Sequence, residues 1–135
     1  SYEKKVSELG LVDRFIFAPS IPGVDRYYHA IDIFVLPAFN EEFGRSVLEA
    51  MSLEKPVIVG SHVGSSELLR DESREYILQS LEHEEFQSKL SKLMVSAEER
   101  SKIGKLNYAF AQGVSHEAQN EKFETLIGLI TDREA

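Results

Sequence analysis

Residues 32–61 read DIFVLPAFNEEFGRSVLEAMSLEKPVIVGS, two short apolar runs on either side of a helical pattern. The runs 'DIFVLP' (32–37) and 'PVIVGS' (56–61) are dominated by Ile, Phe, Val and Leu and lack polar alternation. A strand with one wet face alternates, so a continuous apolar run predicts a strand covered on both faces, as in the parallel sheet of an α/β fold. Between them 'RSVLEAMSL' (45–53) reads as a crossover helix with Leu48, Ala50 and Met51 on its packing face. The alternation continues on both sides. 'RFIFAP' (14–19) and 'EYILQ' (75–79) are further strand candidates and 'GVDRYYHAI' (23–31) a further helix, with Pro19 and Pro37 marking strand ends. The expected fold class is α/β, a parallel sheet with helices on both faces.

The second half changes character. From 'LEHEEFQSKLSKLMVS' onward, Phe86, Leu90, Leu93 and Met94 recur at intervals of three and four, which predicts an amphipathic helix. 'SAEER' (96–100) has the form of a capping box, Ser96 covering the Glu99 amide while Glu99 reaches back. A last helix restarts after Gly113, with Ser115 as its cap. The loop 'SHVGSSE' (61–67) directly follows a strand, where open α/β sheets place their ligand loops.

The totals narrow the function classes. At 135 residues one domain is expected, and a net charge of −8 opposes general nucleic-acid binding, which calls for excess Lys and Arg. There is no cysteine, so disulfides and thiolate metal sites are excluded. The four histidines, His29, His62, His83 and His116, lack ligand spacing, and no metal site is expected. No apolar run approaches the roughly 20 residues of a membrane span, and a cytoplasmic location is the default expectation.

The acids of residues 40–52 admit two readings. A single helix through them is opposed by Gly44, which costs about 1 kcal/mol relative to alanine in a helix interior. Pro37, Asn40 and Gly44 instead suggest a loop running from a strand tip to a helix that begins near Arg45 or Ser46. Free N–H groups at that helix start would form an anion cradle suited to phosphate. Glu49 could instead close a capping box on Ser46, and Glu41 and Glu42 could be solvated loop-tip charges. Phe43 is either a plug for the core below, the favoured reading, or one wall of a pocket.

In order and spacing, 'DIFVLPAFNEEFGRSVLEAMSLEKPVIVGSHVGSSELL' resembles the donor-binding segment of the family 4 retaining glycosyltransferases of GT-B fold. That pattern is Asp, an apolar strand, Pro, a loop, Glu-Gly-Phe-Gly, Leu-Glu-Ala-Met, Lys-Pro-Val and a Gly-rich loop. Two glutamates with seven residues between them are its centre, here Glu41 and Glu49. The upstream 'LGLVDRFIFAPSIPGVDRYYHAIDIFVLP' and the closing helices suit the same family, so the resemblance covers nearly the whole chain.

The resemblance implies roles. Glu49 would accept hydrogen bonds from the ribose hydroxyls of a nucleotide sugar. Glu41, the catalytic candidate, would hold hydroxyls of the transferred sugar and stabilise positive charge at its anomeric carbon. The amides of Phe43, Gly44 and Arg45 would face sugar hydroxyls, with Ser46 near the diphosphate and Glu42 beside it. No metal or other cofactor is implied, the NDP-sugar being a co-substrate. Departures from the pattern are Glu42 in place of a small residue, Glu54 in place of glycine before Lys55-Pro56, and Gly64-Ser65 in place of Gly-Gly, with a shorter step to Glu67.

The family pattern has a strand, helix and strand ahead of this segment, carrying diphosphate-binding cations, and a separate acceptor domain. The chain is therefore expected to be part of the C-terminal, Rossmann-like donor domain, truncated at its N-terminus and inactive alone. A glycan, a lipid-linked or a small-molecule acceptor would be bound by the missing domain, and the parent could be membrane-associated. An unpaired sheet edge leads to the expectation of a covered edge, a homodimer or an exchanged element. Nucleobase contacts are expected around Ala18 to Ile21, which read equally well as an ordinary strand exit. The alternatives are a catalytically silent partner domain of the same fold and a receiver-type signalling domain, the latter opposed by 'DIFVLP', which carries its Asp at the start of the strand rather than the end.

Overall fold

The apolar run after Pro56 becomes β2 (Val57–Gly60), the middle strand of a three-stranded parallel sheet in the order β1-β2-β3. The computed structural model describes residues 1–114 except 20, 21, 24 and 81. On one side β1 (Phe34–Leu36) pairs Phe34 with Val57 and Leu36 with Val59. On the other, β3 (Ile77–Leu78) pairs Ile77 with Val59 and Leu78 with Gly60. All four residues of β2 are buried, as the lack of alternation predicts.

Five α-helices are found among the described residues: α1 (Tyr2–Glu8), α2 (Asp25–Ala30), α3 (Arg45–Met51), α4 (His83–Val95) and α5 (Ala97–Gln112). Because side chains alternate along a strand, β2 feeds two cores. Val57 and Val59 meet Val47, Ala50 and Met51 of α3 and Tyr28 of α2 on one face. Ile58 meets Tyr76, Leu78, Leu93 of α4 and Ile103 of α5 on the other. Each fully buried aliphatic side chain contributes about 1.5–3 kcal/mol, so these two clusters hold the layers together. The fold is α/β with both faces of the sheet covered.

The turn from α3 into β2 keeps the conformation of the glycine it lacks. Glu54 has φ of 56°, the left-handed position that glycine occupies without a steric cost. The helix α5 packs directly on this turn: a Cβ on Gly104 would overlap the Glu54 carbonyl oxygen, and the buried Asn107 Nδ2 donates to the Lys55 carbonyl at 3.0 Å.

Several expectations need correction. 'RFIFAP' forms no strand: after a 3-10 turn at Val12–Arg14, Phe15 is extended, but no ladder partner lies beside it among the described residues. A strand needs a neighbour, and Ile16 is instead 93% exposed. 'EYILQ' yields only Ile77–Leu78, because a 3-10 turn over Asp71–Tyr76 takes its first two residues. The capping box at Ser96 is half made: Ser96 Oγ accepts from the Glu99 amide at 3.1 Å, but the Glu99 carboxylate is engaged by Tyr76 and Lys102. Met94 is 63% exposed, outside the stripe formed by Phe86, Leu90 and Leu93. The helix expected after Gly113, with Ser115 and His116, lies outside the described residues, as do Ser20 and Ile21 of the expected nucleobase contacts.

Candidate functional site

The loops leaving β1 and β2 emerge at the carboxyl edge of the sheet, where ligands of open α/β folds bind. Backbone bonds join them. Glu41 forms a parallel bridge with Val63, the Gly64 amide donates to the Glu42 carbonyl at 3.2 Å, and the Ser65 amide donates to the Phe43 carbonyl at 2.8 Å. Close approach requires glycine at both seams. A Cβ on Gly64 would overlap the Glu42 carbonyl oxygen, and one on Gly44 would lie 2.7 Å from Val63 Cγ1. Gly44 also has φ of 73°. The loop 'SHVGSSE' thus leads into a 3-10 turn (Gly64–Leu68) sewn to the acidic loop.

Gly44 is the N-cap of α3, so the helix begins at Arg45, within the range the sequence indicates. Glu41 is exposed, yet its Oε1 accepts from the Gly44 amide at 3.2 Å. The protein's own carboxylate therefore occupies an amide that the resemblance assigns to sugar hydroxyls. Glu42 and Arg45 are exposed, Ser46 is half-buried, and Phe43 is 43% exposed. Phe43 is thus a surface aromatic on the loop and not the core plug that the sequence reading favours. Ser65, beneath the loop, is buried, and its Oγ has no hydrogen-bond partner among the described residues.

Glu49 does not close a box on Ser46. One turn into the helix, its Oε2 accepts from the Tyr28 hydroxyl at 2.8 Å. Tyr28 is 7% exposed, with its ring tilted against Phe34 of β1 at 5.9 Å. Burial, reinforced by the Glu49 carboxylate, pushes the phenol up to about 12, so it is a proton donor throughout the physiological range. Glu49 itself is exposed and forms no ion pair among the described residues. Two glutamates on the carboxyl side of β1 are consequently each fixed by one neutral donor and otherwise open. Carboxylates so placed can take vicinal hydroxyls of a sugar through paired hydrogen bonds.

Sequence reasoning passed over Tyr28, treating its segment only as a crossover helix. Its partner is 21 residues away, beyond any local pattern. Beside the loops, Phe39 and His62 form a ring contact at 5.7 Å, half of Phe39 being exposed.

The sequence pattern of the family described as Glycosyl transferases group 1 matches residues 1–110. A lipopolysaccharide core biosynthesis mannosyltransferase LpsB of Rhizobium meliloti is 36% identical over 73 residues, 54% of this chain and 21% of its own. A D-inositol 3-phosphate glycosyltransferase of Salinispora tropica is 27% identical over 126 residues, 92% of this chain and 25% of its own. The chain thus spans about a quarter or less of the length of these relatives. Among solved structures, the C-terminal domain of the group 1 protein LpcC from Francisella tularensis aligns with a TM-score of 0.74 and 28% identity, covering 83% of this chain and 59% of that one. HepE of Anabaena, solved with UDP, aligns with a TM-score of 0.80 and 20% identity over 94% of this chain and 36% of that one. At that identity the likeness concerns the fold.

Proposed function

The chain belongs to the group 1 glycosyl transferases, and from that premise we propose that it is the donor-binding part of a retaining glycosyltransferase of GT-B fold. The observation that carries this reading is the pair Glu41 and Glu49, both exposed, each held by a single neutral donor, on two sides of the Gly44 turn. Glu49 takes the ribose hydroxyls of an NDP-sugar. Glu41 takes hydroxyls of the transferred sugar and stabilises charge developing at the anomeric carbon, with Glu42, Phe43, Gly44, Arg45 and Ser46 around the sugar and diphosphate. Binding of the Gly44 amide by Glu41 orients that carboxylate before the donor arrives, which lowers the cost of organising the site.

The reaction is transfer from the NDP-sugar to a glycan, lipid or small-molecule acceptor, with retention at the anomeric carbon, no metal and no protein nucleophile. It takes place in the cytoplasm, in a longer protein whose remaining elements supply the acceptor site and the cations for the diphosphate. That the chain spans 21% and 25% of two curated relatives supports this division of labour. The 135 residues alone do not turn the donor over. UDP alone, and UDP with glucose, are seen in HepE, which supports a nucleotide sugar as ligand class.

The test is a transfer assay with the full-length protein and a panel of UDP- and GDP-sugars, following nucleotide release. Turnover is expected, with Glu41→Gln lowering kcat by about a hundredfold, the loss typical of a group that stabilises transition-state charge. Binding without turnover across acceptors would favour a silent partner domain of the same fold. Neither binding nor turnover would overturn the reading.

A further inference from the structure

The geometry points to Tyr28 as a positioning residue for Glu49: we propose that its hydroxyl fixes the Glu49 carboxylate for the ribose of the donor. The inference rests on the donor-binding reading of Glu49. Without an anchor, an exposed glutamate on a helix samples several rotamers, and a ligand must order it at the expense of affinity. The anchor is well built. The Tyr28 ring is packed in the core with Val47, Ala50 and Met51 and touches Phe34, so its hydroxyl has little freedom as it donates to Oε2 at 2.8 Å.

The choice of donor matters as much as its position. A lysine or arginine there would neutralise the carboxylate and compete with ribose for both oxygens. A phenol donates one hydrogen bond and adds no charge, leaving Oε1 and a lone pair of Oε2 for hydroxyl donors. It also links β1, α2 and α3, so a shift of α2 would move the carboxylate. The site thus extends to a crossover helix through the Tyr28–Glu49 bond.

The experiment is a double-mutant cycle in the full-length protein with Tyr28→Phe, Glu49→Ala and the double variant, titrated with UDP and GDP. Tyr28→Phe keeps the packed ring and removes only the hydroxyl, and Glu49→Ala removes the acceptor. The result expected is a Kd for the tighter nucleotide raised about five- to tenfold by Tyr28→Phe in the parent and unchanged by it in the Glu49→Ala background. Equal losses in both backgrounds, or no loss in the parent, would overturn the positioning role while leaving the donor reading intact. A Glu49→Ala protein that binds both nucleotides as the parent does would overturn the donor reading itself. Thermal melts of each variant separate a binding loss from unfolding, because a purely structural tyrosine would lower Tm and leave the cycle additive.

Discussion

Two tyrosine–glutamate hydrogen bonds of nearly equal length sit in this fold, and their surroundings differ. At the rear core the Tyr76 hydroxyl donates to Glu99 at 2.9 Å, and Lys102 and Lys92 approach the same carboxylate at 3.0 and 3.7 Å. At the loop edge the Tyr28 hydroxyl donates to Glu49 at 2.8 Å, and no cation pairs with that acid among the described residues. Glu99 is 15% exposed and held below the usual carboxylate range, chiefly by Lys102. Glu49 is open. A carboxylate saturated by lysines staples helices together; one held by a single neutral donor keeps acceptor capacity for a ligand. The same bond is structural in one place and preparatory in the other.

Gly64→Ala should distinguish the two ends most strongly. Its Cβ would overlap the Glu42 carbonyl, forcing the seam between the loops apart at a cost of about 1–3 kcal/mol, with lower nucleotide affinity and an undisturbed Tyr76 region. Hydrogen exchange would show faster exchange at Ser65 and Val63, with amides of α5 unchanged. Tyr76→Phe comes next: the buried ring stays, the bond to Glu99 is lost, and stability falls by about 0.5–1.5 kcal/mol in urea denaturation without effect on nucleotide binding. A binding loss there would erase the contrast.

The smallest effect concerns acid. Glu85 accepts from the Gln79 and Ser80 amides, which hold its carboxyl at about 2 rather than 4.5. A pKa lowered on folding contributes stability that is complete above pH 4.5 and is lost as pH falls toward 2. Acid denaturation followed by circular dichroism should therefore be shallower in Glu85→Gln across that window, and nucleotide binding at neutral pH should be unaffected.

Much of this was legible in the residues. Unbroken apolar runs located β1 and β2, and the glycine at position 44 set the start of α3, whereas the left-handed turn kept at Glu54 in a glycine's place was not foreseen. The spaced glutamates pointed to the family. What stayed hidden depends on partners distant in sequence. Nothing local to 'RFIFAP' tells whether another strand lies beside it, and nothing near Glu49 tells whether Ser46 or Tyr28 will claim it. Tertiary contact favoured the tyrosine, because Gly44 rather than Ser46 became the cap and the box lost its geometry. The β1 edge opposite β2 is unpaired among the described residues, and light scattering that finds two copies per particle would support a homodimer or an exchanged element over an edge covered within one copy.

The decisive measurement is calorimetric titration of the full-length protein with UDP and GDP, comparing Glu49→Ala with Glu99→Ala. The account predicts that Glu49→Ala weakens the preferred nucleotide by about tenfold or more with only the modest Tm loss of one hydrogen bond, whereas Glu99→Ala, which also frees two lysines, lowers Tm further and leaves Kd in place. Parental affinity in Glu49→Ala would contradict it.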